Sequence, residues 1–328
     1  MKSKAIVFLA ANRVAIEEIE LPPLKKGHVL TRTLYTGVST GTETRVLAGK
    51  QSADTFPCIP GYENIGEVVD VGEGVSLKKG AKVFVGTSDF TGPYRAMWGG
   101  HVEYAISNAG RLIAIPEGAD IVSALYVKTC AIAVHGINRA KVIAEDKVAI
   151  VGQGLIGHLA AQVAKARGAT VIAIDTIDER LEASKQAGID YEINAVRENA
   201  KEMVSRYSNN GLTVAVDVTG VAATIDSTIQ LLPDKPWTPP FAPAARFLLL
   251  GSYADPIVIT YAPMFMIEPD LIVSRDCNQA DLAESLELIC SGQVKVKGIP
   301  TTIADFADAP KAYDDLVNRR AVRVVFKW

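Results

Sequence analysis

The residues with the clearest chemical meaning form a glycine turn, Gly152-Gln153-Gly154-Leu155-Ile156-Gly157, and an acid further on, Asp175. The turn closes the apolar run Lys147-Val-Ala-Ile-Val and opens a helical pattern. That is the G-x-G-x-x-G arrangement that receives a dinucleotide. Gly152 allows the tight bend, Gly154 lets backbone approach a pyrophosphate, and Gly157 lets helix pack on strand. The amides of Leu155 and Ile156 open the helix, whose N-terminus offers unpaired N–H groups and partial positive charge to phosphate. Asp175 ends the next strand pattern, where a carboxylate accepts hydrogen bonds from the adenosine ribose. A 2′-phosphate would meet that carboxylate. Thr176 and Ile177 supply no cation, and Arg180 lies further along, so NAD is favoured over NADP. The plainer alternative is that Asp175 only caps the helix beginning at Asp178.

Those groups need a parallel sheet to hold them. From 120 onward the chain alternates apolar strands and helical segments: helix 120–143, strand 147–152, helix 155–167, strand 170–174, helix 178–187, and strands 214–218 and 247–250. The strands lack polar alternation, as expected for burial on both faces. This rhythm predicts a doubly wound domain. The turns Val218-Thr219-Gly220 and Leu250-Gly251-Ser252 fall at the same carboxyl edge, which makes Thr219, Gly251 and Ser252 candidates to line the cofactor. Residues 1–120 read differently, as short strands separated by glycine turns, the texture of a small barrel or sandwich. Helices are predicted near 280–291 and 307–319, with a last strand at 322–326. The nucleotide domain is placed at 121–265, with its partner domain split between 1–120 and 266–328. The proline-rich stretch 233–243 reads as a stiff surface loop.

Composition narrows the classes. Hydrophobic residues make up 48% and charged residues 22%, as in ordinary globular proteins. The 34 Lys+Arg against 37 Asp+Glu leave a net charge of −3, which argues against a nucleic-acid binder. There are 4 Cys and no CxxC pair, so a disulfide framework is not supported. The opening Lys2-Ser-Lys4 and the apolar run after it lead into charged residues, not a cleavage site. No membrane span is expected, and a cytoplasmic location follows as the default.

Several further stretches carry a family resemblance. They are Gly37-Val-Ser-Thr-Gly-Thr-Glu43, Pro60-Gly-Tyr-Glu63 with Gly66-Glu67-Val68, Trp98-Gly-Gly-His-Val-Glu-Tyr104, Asp217-Val-Thr-Gly220 and Arg323-Val-Val-Phe326. With the glycine turn, these resemble the medium-chain dehydrogenase/reductase superfamily almost end to end. Within it, the Ser-Thr-Gly-Thr-Glu and Pro-Gly-Tyr-Glu stretches are similar to bacteriochlorophyllide hydroxyethyl dehydrogenases and to sugar or cyclitol dehydrogenases. The resemblance implies an α/β architecture: a GroES-like β-rich domain plus a Rossmann doubly wound parallel-sheet domain. It also implies an oxidoreductase acting on a small alcohol or ketone, and a homo-oligomer.

Many relatives hold a catalytic zinc through a Cys, a His and a third ligand. The corresponding positions here carry Ser39, Tyr62 and a place near Lys128, with Cys130 close by. Hydroxyl and amine groups are poor zinc ligands. The expectation is therefore a zinc-free enzyme; the alternative is an unusual metal site using Glu63, Cys130 or His101. Without metal, something else must hold the substrate oxygen and exchange its proton. Tyr62 is the candidate hydroxyl. Lys128 is the candidate proton donor, or a cation easing Tyr62 ionisation. Glu63 would orient either group, and Ser39 with Thr40 would relay a proton. His101 reads as a surface residue and His135 as a core one. Tyr94, Arg95 and Trp98 lie in a Gly-rich loop that could cover substrate; the alternative is that they simply face solvent. The competing functions are an NADPH-dependent enoyl or quinone reductase and a non-catalytic dinucleotide-binding module.

Overall fold

The computed structural model describes residues 1–50, 56–237 and 243–328. They divide into two units, one of Met1–Lys128 with Val296–Trp328, the other of Thr129–Lys295. The second unit runs past the expected limit of 265. The reason is a strand the sequence reading missed, Asp270–Val273, which pairs in parallel with Arg246–Leu249. Only four residues long and exposed at three of them, it lacks the buried apolar run by which the other strands of the sheet were read. Helix Gln279–Cys290 follows it, closed at its start by a reciprocal cap between Asn278 and Asp281.

The first unit contains two sheets. One has the strand order Arg13–Glu20, Lys2–Ala10, Cys58–Ile59, Arg95–Ala96. The other runs Thr302–Asp305, Val324–Lys327, His28–Gly37, Glu63–Val71, Lys82–Phe84, Ile113–Ala114, and Tyr104–Asn108 pairs with His28–Gly37. This is the GroES-like domain, with Val29, Val68, Val83 and Ile106 buried in its interior. Strand His28–Gly37 is central to the site. Two register shifts, at Leu30/Thr31 and Thr33/Tyr35, bend it and end the pairing with Gly37 opposite Glu63. Gly37 also pairs with Val325. Three strands thus bring Gly37, Glu63 and Arg323 together.

Arg323 donates to Glu63 at 2.5 Å, both side chains fully buried. The guanidinium lies 4.1 Å from the centre of the Tyr126 ring. A Cβ at Gly37 would sit 2.3 Å from the Glu63 carboxylate, so only glycine leaves room for the pair. Gly61 is constrained likewise: its φ is +95° and a Cβ would meet the His101 ring at 2.6 Å.

The second unit is a six-stranded sheet of the order Tyr191–Asn194, Thr170–Asp175, Lys147–Val151, Val214–Asp217, Arg246–Leu249, Asp270–Val273. Every pair is parallel. In chain order that is 3-2-1-4-5-6, the doubly wound arrangement, with its switch point beside Lys147–Val151. Ala149, Ile172, Ala215 and Phe247 are completely buried, which explains the absence of polar alternation. The helix expected over 120–143 is broken into Ile121–Ala124 and Val127–Arg139. The middle of the proline-rich loop, 238–242, lies outside the described residues. Among the described residues no helix is long and apolar enough to cross a membrane.

Removing one partner of a buried ion pair leaves the other charge uncompensated. Arg323→Met is expected to destabilise the first unit by about 3–5 kcal/mol. Glu63→Gln/Arg323→Met should recover much of that loss. Urea denaturation of the three proteins decides it; equal losses in single and double variants would contradict the assignment.

Candidate active site

The dinucleotide turn is built as its residues require. Gly152 has φ +97°, beyond the ordinary reach of a side-chain-bearing residue. Gly157 packs so closely that a Cβ would lie 1.8 Å from the Gly152 carbonyl oxygen. Gly154 is the N-cap of helix Leu155–Ala166, and a Cβ there would point into open space. That space is where a bound group can approach the free amides of the first turn. A cavity of about 870 Å³ opens here, lined by Gly152, Gly154, Asp175, Arg180, Thr219 and Thr224 among others. Gly251 and Ser252 are not part of its lining.

Asp175 is nearly buried and already engaged. One carboxylate oxygen accepts from the Gln153 amide at 2.6 Å, the other from Thr176 at 2.7 Å and Ile177 at 3.0 Å. Asp175 therefore holds both the glycine turn and the Thr176–Ile177 link into the next helix; the N-cap of that helix is Ile177, with no side-chain cap, so Asp175 does not cap it. One expectation needs correction. The carboxylate does have a cation beside it: Arg180 Nη1 lies 3.4 Å from Asp175 Oδ2, from one helical turn further along. Spacing alone concealed this because Arg180 sits on the helix that follows Asp175.

Asp217 is the carboxylate that sequence reasoning passed over. It is fully buried and accepts from the hydroxyls of Thr219, Thr224 and Thr228, each at 2.8 Å, and from Tyr253 at 2.7 Å. The result is a rigid mount for the Thr219 turn at the cavity edge.

In the first unit, Ser39 and Tyr62 meet. The Tyr62 hydroxyl donates to Ser39 Oγ in a short hydrogen bond. Trp98 stands edge-on to the Tyr62 ring, centroids 5.0 Å apart at 82°. Trp98 has φ +74°, a strained conformation for a large side chain. Burial pushes the Tyr62 hydroxyl well above its ordinary ionisation range. The nearby Glu63 charge adds to the effect, and a hydrogen bond with Thr42 only partly offsets it. A Tyr62 that ionises readily is therefore not what the site contains.

Other candidates fall into place with different roles. The Thr40 hydroxyl donates to the Val322 carbonyl at 2.9 Å, so it is committed to holding backbone and is not a relay. Glu63 is bound to Arg323. Lys128 is half-buried on the first turn of helix Val127–Arg139. His101 is not a surface residue: it is fully buried, with Nε2 3.0 Å from Glu43. His135 is only half-buried, with Nδ1 2.8 Å from Asp281. The Cys58 and Cys130 thiols are both pushed up to about 12, chiefly by burial. Glu63, Cys130 and His101 thus have separate surroundings, and among the described residues no three His, Cys, Asp or Glu gather to hold a metal. Arg323, Glu43 and Tyr313 were missed. Glu43 showed one local sign, an acid in the first turn after Ser39, whose N–H it accepts from, but its partners His101 and Tyr313, and the Glu63 partner of Arg323, are all distant in sequence.

Two family models match the chain. Residues 25–117 match the alcohol dehydrogenase GroES-like domain and 156–291 the zinc-binding dehydrogenase model. The chain is 28% identical to a sorbitol dehydrogenase of Halalkalibacterium halodurans, covering 99% of this chain and 98% of that protein. It is 26% identical to a 2-desacetyl-2-hydroxyethyl bacteriochlorophyllide A dehydrogenase of Cereibacter sphaeroides, covering 95% and 94%. Galactitol-1-phosphate dehydrogenase from Escherichia coli shares the fold, with a TM-score of 0.85 at 21% identity over 99% of this chain and 100% of that one.

The buried tyrosines yield a pH prediction. Tyr62, Tyr126, Tyr253 and Tyr313 all have ionisation raised by burial. In the unfolded chain they ionise near pH 10. Their contribution to stability is complete below that pH and is lost as pH rises above it, because the unfolded state then releases protons that the folded state keeps. Denaturation between pH 8 and 11 should show stability falling only at the alkaline end. Absorbance of tyrosinate in the folded protein should stay low over the same interval.

Proposed function

The chain belongs to the medium-chain dehydrogenase/reductase superfamily, and from that premise we propose that it moves a hydride between NAD(H) and a secondary alcohol or ketone without a catalytic zinc. The observation that carries the reading is the Ser39–Tyr62 hydroxyl pair, at the two positions where relatives with zinc have Cys and His. A catalytic zinc takes three ligands of thiolate, imidazole or carboxylate type. The donor set here does not fit it. Tyr62 resists ionisation, the Glu63 carboxylate is bound to Arg323, and His101 is turned onto Glu43.

The cofactor fits the second unit. The open space at Gly154 and the helix start behind it suit a pyrophosphate, and Asp175 suits the adenosine ribose. When bound, the nicotinamide takes or returns the hydride. The chain's own part is to hold the oxygen and handle its proton. The hydroxyl pair supplies hydrogen bonds to the reacting oxygen. Lys128 takes the alcohol proton during oxidation and returns it during reduction. Trp98 offers an aromatic face to the substrate. The names of the relatives support a polyol or hydroxyethyl-tetrapyrrole substrate, and the family resemblance adds sugars and cyclitols. The exposed edge strand Asp270–Val273, with Leu271 and Val273 facing solvent, supports a homo-oligomer.

Purified protein incubated with NAD and a panel of polyols, cyclitols and hydroxyethyl compounds should produce NADH, and elemental analysis should find less than stoichiometric zinc. Preference for NADPH with activated alkenes would replace this reading with an enoyl or quinone reductase. No turnover and no cofactor-induced melting shift would favour a non-catalytic module.

Asp175 and Arg180 make the cofactor preference testable. Asp175→Ser removes the charge that repels a 2′-phosphate and releases Arg180 to bind it. A charge-assisted bond of about 1.5 kcal/mol corresponds to roughly tenfold. The ratio of kcat/KM for NADPH over NADH should rise about tenfold, and Asp175→Ser/Arg180→Ala should cancel the gain.

A further inference from the structure

A second layer lies beneath Ser39. Glu43, His101 and Tyr313 are completely buried. One Glu43 oxygen accepts from the Tyr313 hydroxyl at 2.6 Å and lies 3.0 Å from His101 Nε2. The other accepts from the Ser39 backbone N–H at 2.9 Å. The Tyr313 ring packs edge-on to Phe8, and the His101 ring edge-on to Phe326. A buried carboxylate is stable only when its hydrogen bonds are made, so Glu43 is held by Tyr313, His101 and the Ser39 N–H together, while among the described residues His101 Nδ1 is left without a partner.

The cluster acts on Ser39 in a specific way. Ser39 is the N-cap of helix Thr40–Leu47. A serine there ordinarily turns its hydroxyl onto an amide of its own helix. Here no such side-chain cap is made. The Ser39 N–H is pinned by Glu43, and its Oγ faces Tyr62 instead. Tyr62 is the donor in that contact, so Ser39 spends a lone pair and its own proton points away from Tyr62. A hydroxyl that accepts from a phenol becomes a stronger donor in turn.

We propose, on the basis of the zinc-free dehydrogenase reading above, that Ser39 donates the hydrogen bond to the substrate's reacting oxygen, that Tyr62 stands behind it, and that the buried Glu43–His101–Tyr313 cluster positions it. The roles of the two hydroxyls are thereby reversed from the order their sequence positions suggest. Ser39 is the catalytic residue; Glu43, His101 and Tyr313 are positioning residues.

The test uses the full-length enzyme with NAD and sorbitol, myo-inositol or butane-2,3-diol, whichever is turned over fastest. Ser39→Ala should lower kcat about a hundredfold, the loss of a donor to the reacting oxygen. Ser39→Thr should recover part of it. Tyr62→Phe should cost only about tenfold, since the Ser39 donor survives. Tyr313→Phe keeps the ring and removes only the hydroxyl; it should lower kcat about tenfold while KM and NADH affinity stay within about twofold, a split that simple loss of stability does not produce. A larger loss for Tyr62→Phe than for Ser39→Ala overturns the assignment of Ser39. Unchanged kcat in Tyr313→Phe overturns the positioning role. If the wild type turns over none of these alcohols, the dehydrogenase reading loses its support, and the positioning claim is decided by crystal structures of the wild type and Glu43→Gln. Ser39 Oγ on Tyr62 in the first and swung onto its own helix in the second supports it; one rotamer in both refutes it. Should Glu43→Gln not fold, Tyr313→Phe carries the same comparison.

Discussion

A guanidinium and a carboxylate held together out of water impose the strictest condition on the first unit. The Arg323–Glu63 contact requires a bare Gly37 opposite, three strands in one register, and the Tyr126 ring against the guanidinium face. Once those are in place, the neighbours of the pair have little freedom. Ser39 leaves the same strand two residues after Gly37, and Tyr62 directly precedes Glu63. Their meeting follows from the register that the ion pair enforces. The stability of the pair and the geometry of the hydroxyls are thus one constraint seen from two sides.

Charge organisation explains why hydroxyls can serve here. Glu63 and Glu43 each lie close to Tyr62 and discourage its ionisation. Both carboxylates are occupied, by Arg323 in one case and by Ser39, His101 and Tyr313 in the other. A tyrosine kept neutral remains a donor at every ordinary pH, so the pair presents hydrogen bonds instead of a titrating base. That suits the holding of a partially negative oxygen. In the proposed mechanism the proton itself is left to Lys128.

The second unit solves a different problem with the same means. Asp175 and Asp217 stand at the carboxyl ends of the two strands that flank Lys147–Val151 and are saturated with donors. Each fixes a turn before any ligand arrives, which lowers the ordering cost of binding. Arg180 adds a cation to the Asp175 rim, so one positive and one negative side chain stand together at the edge of the cavity.

What could be read from the chain alone was whatever short-range physics determines. Glycines at 152 and 157 announce their turn because a bend at φ +97° and a helix so close that a Cβ would lie 1.8 Å from a carbonyl oxygen exclude other residues locally. Apolar runs announce buried parallel strands because burial on both faces removes alternation. The strand Asp270–Val273 escaped for the converse reason: a short edge strand open to solvent carries no such mark. Arg323 finds Glu63 across 260 positions, and Tyr313 finds Glu43 across 270. No local pattern encodes those partners, since strand register and the cost of leaving a buried charge unpaired select them only once the chain has folded. The residue types at the candidate site belong to the sequence; which hydroxyl donates, which carboxylate is occupied and which histidine is buried belong to the tertiary structure.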